Sequence, residues 1–237
     1  MRLLSLLLIA AGLIAAQIPQ ASREQALGRM LSKDIESRER FMDDAQVIDY
    51  VTAVANKLTP ACSASGVSVR VMQSEELNAS AVPGGQLYVT SALLRFVETE
   101  SELAGILAHL MKRTLVPGGT TTNANAQFIT SPNGDQFLLT PDTVVPRGLQ
   151  NTVMSAIAAA DGSAMQCMDR AGYDPVGLIM VLQRMPSVPV ERMEHVSETI
   201  MMLEPSRAFL LNTTKFFEVR RHLAAITPVQ RPASLRQ

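Results

Sequence analysis

Between residues 22 and 58 apolar positions recur every three or four residues. Leu27, Leu31 and Ile35, then Val47, Tyr50, Val51 and Val54, have the spacing of one long amphipathic helix or a helix pair. Pro60 and Gly66 end that region. The period then changes to two: Val67, Val69 and Val71 alternate with polar residues, as a half-buried strand requires. A second short strand is predicted at Ala79 to Val82, and Pro83-Gly84-Gly85 reads as a turn into a third strand over Gln86 to Thr90. In that strand Leu87 and Val89 are assigned to the core, and Gln86, Tyr88 and Thr90 to the opposite face. A short helix follows, then a longer one over 101–115 whose Leu103, Ile106, Leu107 and Leu110 form an apolar stripe. His109 and Arg113 lie one turn apart on a neighbouring face, with Gly105 one turn before them.

The helical pattern lapses over 116–148, which holds Gly118-Gly119, a Thr/Asn run, Pro132, Pro141 and Pro146. Within it AQFIT-SPNGD-QFLLT reads either as a β-hairpin around Asn133-Gly134 or as an irregular surface loop. A helix resumes from Leu149 to Arg170, and AGYDP (171–175) turns the chain into another from Pro175 to Arg184. Val190 to Leu223 is mostly helical, broken at Pro205, and the last dozen residues read as a frayed end. The sum is an α+β chain: mostly helical, with a small antiparallel sheet and helices packed to one side of it.

The N-terminus has the pattern of a secretory signal over residues 1–16. Arg2 is a minimal basic region, Leu3 to Ile14 an apolar one, and Ala15-Ala16 a small-residue cleavage site before Gln17. The apolar run is shorter than the ~20 residues that span a bilayer, so a cleaved leader is preferred to an uncleaved anchor. No cysteine follows it for lipid attachment. No stable membrane span is expected after cleavage, and the expected location is exported, periplasmic or secreted. At 237 residues, 47% hydrophobic and 18% charged, the chain suits one well-buried domain, or one domain with extensions. A net charge of −1, no Lys/Arg stripe and no Trp argue against nucleic acid as a partner.

One stretch carries more than pattern. Val82 to Arg113 (VPGGQLYVTSALLRFVETESELAGILAHLMKR) is a turn, a strand and two helices, and the second helix ends His109-Leu110-Met111-Lys112-Arg113 where a zinc protease carries H-E-x-x-H. Around it stand Glu24 to Arg29 (EQALGR), Asn78-Ala79, Pro83-Gly84-Gly85, Thr90 to Leu94, Ser101 to His109, Ala160-Asp161 and AGYDP entire. In that order and spacing these segments resemble the zinc metallopeptidase family that includes the CAAX prenyl protease and the envelope chaperone-protease BepA. The resemblance spans roughly 22–206 and implies a zincin-like domain there. Residues 116–148 are then a remodelled loop or hairpin, and 207–237 a helical C-terminal extension with a frayed tail.

The same resemblance assigns the site. Active relatives use zinc held by both histidines of H-E-x-x-H and by the glutamate of E-x-x-x-D, with the other glutamate as general base. In this chain His109 alone keeps a ligand. Leu110 stands at the base position, Arg113 at the second ligand and Ile157, four before Asp161, at the third; Glu204-Pro205 is the nearest counterpart of a His-Pro near the domain end. The resemblance therefore implies a degenerate zinc site, with no catalytic residue and no cofactor expected. Asp161, which in the family supports a histidine ligand, has two partners open to it, Arg113 or His109. It also implies an approach of Cys62 to Cys167, which leaves a disulfide and two small buried residues as alternatives.

No replacement chemistry stands out. His195 with Glu191, Glu194 and Glu198 reads as solvated charge, and His222 as a cation at a helix C-terminus. No G-x-S-x-G, S-x-x-K, P-loop or zinc-ribbon motif occurs. Three functions compete: a non-catalytic binder of extended or unfolded exported polypeptides, a metalloendopeptidase with unrecognised ligands, and a structural remnant. For the first, the peptide-binding edge is placed at Gly84, Gly85, Gln86, Tyr88 and Thr90, by β-addition to an edge strand.

Overall fold

The computed structural model describes residues 20–115, 127–130, 136–139, 144–146, 153–186, 188–203 and 209–226. The expected leader, residues 131–135 with Asn133-Gly134, Glu204-Pro205 and the C-terminal tail lie outside the described residues. The 22–58 pattern resolves into two helices, α1 (Gln20–Arg38) and α2 (Ala45–Ala61). Asp44 begins the second one by accepting the Val47 N–H at 3.1 Å, which satisfies an otherwise orphan donor. Then come β1 (Ser68–Met72), β2 (Ala79–Val82), β3 (Gln86–Thr90), α3 (Ser91–Phe96) and α4 (Glu100–Leu115). Thr90 ends β3 and caps α3 in one residue, accepting the Leu93 N–H at 3.2 Å.

The small sheet is mixed rather than purely antiparallel. Its order is β1-β3-β2, with β1 parallel and β2 antiparallel to β3. Gln86–Thr90 is thus the central strand and not an edge, which corrects the expected placement of the peptide-binding edge. Both sides of its backbone ladder are occupied by neighbouring strands. The 83–85 turn makes this possible: Gly84 and Gly85 take φ of +90° and +86°, which a Cβ-bearing residue adopts only with strain. The outer side of β1 is also occupied, since Met42 N–H donates to Val71 O at 2.8 Å and Gln73 N–H to Arg40 O at 2.7 Å.

Helices lie on both faces of this sheet, where one was expected. Leu87 and Val89 face the main core, as their alternation implies, and Tyr88 faces the other way. That second face is not exposed. Leu31 and Ile35 of α1, with Phe41, Met72 and Val82, cover Tyr88 until nothing of it is accessible.

Beyond α4, β4 (Gln127–Thr130), β5 (Gln136–Leu139) and β6 (Val144–Pro146) form a second antiparallel sheet in that order. The hairpin alternative for AQFIT-SPNGD-QFLLT is the one adopted, with Gln127 opposite Leu139 and Thr130 opposite Gln136. Among the described residues four more helices follow: α5 (Val153–Ala171), α6 (Val176–Arg184), α7 (Val190–Met202) and α8 (Thr214–Ala225). AGYDP is a helix-to-helix corner. Gly172 at φ +77° ends α5, and Asp174 Oδ1 accepts the Val176 N–H at 2.9 Å to start α6. The corner is held at close range: a Cβ on Gly177 would lie 2.6 Å from the Ser101 carbonyl carbon, so α6 and α4 meet nearly backbone to backbone. In the 207–237 segment, α8 buries Phe216, Val219 and Leu223 in the same core as α2 and α4. His222 Nε2 lies 2.7 Å from Asp44 Oδ2 and ties α8 to the start of α2.

Cys62 and Cys167 are bridged, both fully buried, across 105 residues of sequence. The bond joins the end of α2 to α5. Two cations satisfy the last carbonyls of α2 at the same place: Lys112 Nζ donates to Cys62 O at 2.6 Å, and Arg170 Nη2 to Ala61 O at 2.6 Å. Closing so long a loop removes much denatured-state entropy. Replacing both cysteines by serine should therefore cost about 2–5 kcal/mol in urea unfolding, with the far-UV spectrum retained. A cost below ~1 kcal/mol would show that helix packing alone sets the α2–α5 geometry.

Candidate functional site

Helix α4 runs through the middle of the domain and is buried on nearly all sides, Lys112 being the partly exposed exception between Glu100 and Arg113. The expected apolar stripe is there, with Leu103, Ile106, Leu107 and Leu110 all buried. The neighbouring face is buried as well, because α5 and α6 pack against it. His109 and Arg113 are consequently 7% and 3% exposed, which places two polar side chains in the interior.

Facing them on α5 is Asp161, fully buried, with Ile157 one turn before it, also buried. His109 Nδ1 lies 2.7 Å from Asp161 Oδ1. Of the two partners open to Asp161, this contact is with His109. A cation from α7 completes the arrangement: Arg192 donates Nε–H to Oδ2 at 2.8 Å and Nη2–H to Oδ1 at 2.9 Å. This fork holds both carboxylate oxygens at once, the strongest geometry a guanidinium offers. Three helices thus converge on one carboxylate.

The electrostatics follow from the burial. Desolvation raises the pKa of Asp161, but the His109 ring and the Arg192 guanidinium outweigh it and hold the carboxyl far below the usual range. For His109 the balance goes the other way. Burial pushes the imidazole's pKa down, Asp161 opposes that, and Arg192 and Arg113 add to the lowering. Near neutral pH the site is a carboxylate, a guanidinium pair partner and a neutral imidazole.

Zinc does not fit this donor set. Leu110 and Ile157 have no lone pairs, Arg113 is permanently protonated, and both oxygens of Asp161 face cationic or imidazole nitrogen. His109 is left as a single ligand. Among the described residues no group of three His, Cys, Asp or Glu stands ready to hold a metal.

The other expected positions scatter. Gln86 Oε1 accepts the Ser68 hydroxyl at 2.6 Å, Tyr88 is under α1, and Thr90 Oγ1 bonds Asn78 O at 3.0 Å. His195 Nε2 is 3.2 Å from Ala158 O, while Glu191, Glu194 and Glu198 are exposed, as a solvated acidic run should be. The residue that sequence reasoning missed is Arg192. It sits inside that same acidic run, and its only signal was to be the lone cation there.

A second buried acid was also missed. Glu100, 3% exposed at the start of α4, accepts the Tyr173 hydroxyl at 3.1 Å and the Thr213 hydroxyl. Its backbone N–H donates to Asn212 Oδ1 at 2.9 Å, so the AGYDP tyrosine and the 212–213 segment close over the helix start.

Removing Arg192 would leave Asp161 buried with one neutral partner. Arg192→Ala should destabilise by about 3–5 kcal/mol, and adding Asp161→Asn should recover a large part of that loss. Urea unfolding of the two singles and the double measures the coupling. Additive effects would mean that the pair contributes nothing beyond packing.

Comparison with known proteins places this geometry. Residues 43–111 match the model of Peptidase family M48, a stretch that contains the small sheet and His109 and ends before Arg113. The beta-barrel assembly-enhancing protease of Yersinia pestis is 26% identical over 187 residues, 69% of this chain and 37% of that protein. The protein of the same name from Escherichia coli (strain K12) is 21% identical over 193 residues, 73% of this chain and 40% of its own length. The chain spans about two fifths of the length of these curated relatives.

Proposed function

We propose that this chain, a member of peptidase family M48 similar to the beta-barrel assembly-enhancing proteases, is a non-catalytic module that engages polypeptides in an exported compartment. The observation that carries the non-catalytic reading is the His109–Asp161–Arg192 cluster. Hydrolysis by this family's chemistry needs a metal-bound water and a base beside it. The positions that the sequence resemblance assigns to base and ligands hold a leucine, an arginine and an isoleucine, and an arginine from α7 occupies the supporting aspartate. The export reading rests on the leader-like N-terminus and on the buried disulfide, a bond that persists in oxidising compartments. Among the described residues no helix is long and apolar enough to cross a membrane.

Polypeptide engagement moves to a different strand from the one expected. With β3 central and β1 flanked by residues 40–42, β2 is the strand of this sheet that has no strand on its outer side among the described residues. It lies against α4. Ala79, Ala81 and Val82 are nearly inaccessible and Ser80 is half-buried, so a partner chain would reach this edge at Ser80. That same burial is what favours the structural-remnant reading, and one experiment separates the two. A photo-crosslinker at Ser80 should capture an unfolded polypeptide such as reduced casein, and one at Glu194 on α7 should not. Equal capture at both positions, or none at Ser80, would leave the structural reading.

The chemistry has its own test. Protein purified without chelator should carry no stoichiometric zinc and leave casein intact. About one zinc per chain, or proteolysis abolished by a chelator, would make the chain a peptidase with ligands outside the aligned positions.

A further inference from the structure

The substitutions at the aligned ligand positions explain why a metal would bind poorly, but not why α7 sends an arginine into the same spot. A site that has only lost its ligands needs no new cation. It could be filled by hydrocarbon, as Leu110 and Ile157 already fill two of its positions. What remains is Asp161, a fully buried carboxylate that cannot stay ionised without a positive neighbour. Arg192 is the neighbour found there. Its Nε and Nη2 reach the two oxygens at 2.8 and 2.9 Å, and His109 Nδ1 meets one of those oxygens at 2.7 Å. The guanidinium is therefore one carboxylate's width from the imidazole. Arg113, one turn along α4, adds a second positive charge near enough to act on the same ring.

We infer that Arg192 supplies, as a fixed monocation, the positive charge that a metal would otherwise bring to the His109–Asp161 pair, so that the site excludes divalent cations by charge as well as by lack of ligands. This rests on the non-catalytic reading and on the ligand positions assigned above. It extends them in a specific way: restoring the ligands alone leaves a dication facing a guanidinium across a few ångströms of low-dielectric interior, where like charges repel strongly. Removing that guanidinium both lifts the repulsion and leaves Asp161 in need of a cation, which zinc can provide through the histidine it supports. Arg192 is a positioning and charge-setting residue here, not a catalytic one.

The test compares three variants: Leu110→Glu, Arg113→His and Ile157→Glu together, the same three with Arg192→Gln, and the same three with Arg192→Lys. Zinc affinity is read by competition with a chromophoric chelator, and folding by far-UV circular dichroism. The Gln form should bind zinc at least about tenfold more tightly than the triple variant, the scale on which residues behind the ligands change metal affinity. The Lys form, which keeps the charge, should stay within about threefold of the triple, well inside that scale. If the Gln form is unfolded without metal, adding zinc should restore its helicity, because binding then drives folding. Equal affinities in the Arg and Gln forms, or a Gln form that zinc does not refold, would overturn the role of Arg192. Folded variants that all fail to bind zinc would instead overturn the ligand register, and with it the reading on which this inference stands.

Discussion

A single buried carboxylate sets the terms for the centre of this domain. Asp161 has no access to solvent, and burying an ionised group costs several kcal/mol unless its charge is met and its oxygens are bonded. His109 from α4 and Arg192 from α7 meet that demand together. The relative placement of three helices is thereby specified by one side chain, since a small shift of α7 would separate the guanidinium fork from its oxygens. Apolar packing alone tolerates such sliding. A bidentate ion pair does not.

Other contacts fasten the same helices at their ends. The Cys62–Cys167 bridge fixes α5 to the end of α2, and Lys112 and Arg170 neutralise the carbonyls exposed there. At the opposite end of α4, Glu100 collects hydroxyls from Tyr173 and Thr213. Helix α4 is thus pinned by two buried polar side chains, Glu100 at its start and His109 further along, and by the partly exposed Lys112 in its last turn. That rigidity suits a scaffold that presents a strand beside the helix. The contacts of Asp161 with His109 and Arg192 also link α4, α5 and α7 directly through side chains.

The sheet illustrates the limit of a period-two pattern. The alternation of Leu87 and Val89 with Tyr88 correctly separated two faces, yet it carried no information about what lies on each face or at each edge. Tyr88 points away from the main core and is nevertheless inaccessible, because α1 crosses over it. The strand taken for an edge is central because β1 pairs with it in parallel after a crossover, a long-range event that no local spacing encodes.

Much was legible in the residues themselves. Helical spacing found α2 and α4, the Pro-Gly-Gly turn found the β2–β3 corner, and AGYDP found the α5–α6 corner, because each depends on neighbours a few residues apart. The ordered motifs identified the scaffold and singled out His109, Leu110, Arg113, Ile157 and Asp161 as positions to watch. Only the tertiary structure decided which of them touch. Arg192 reaches Asp161 from 31 residues away and His222 reaches Asp44 from 178, and an arginine within an acidic run carries no mark that it is the one turned inward. The chain alone determined which side chains cannot bind a metal, since that is a property of leucine, isoleucine and arginine wherever they stand. Which cation would balance the carboxylate left behind depended on how three helices pack, and packing is a property of the whole fold.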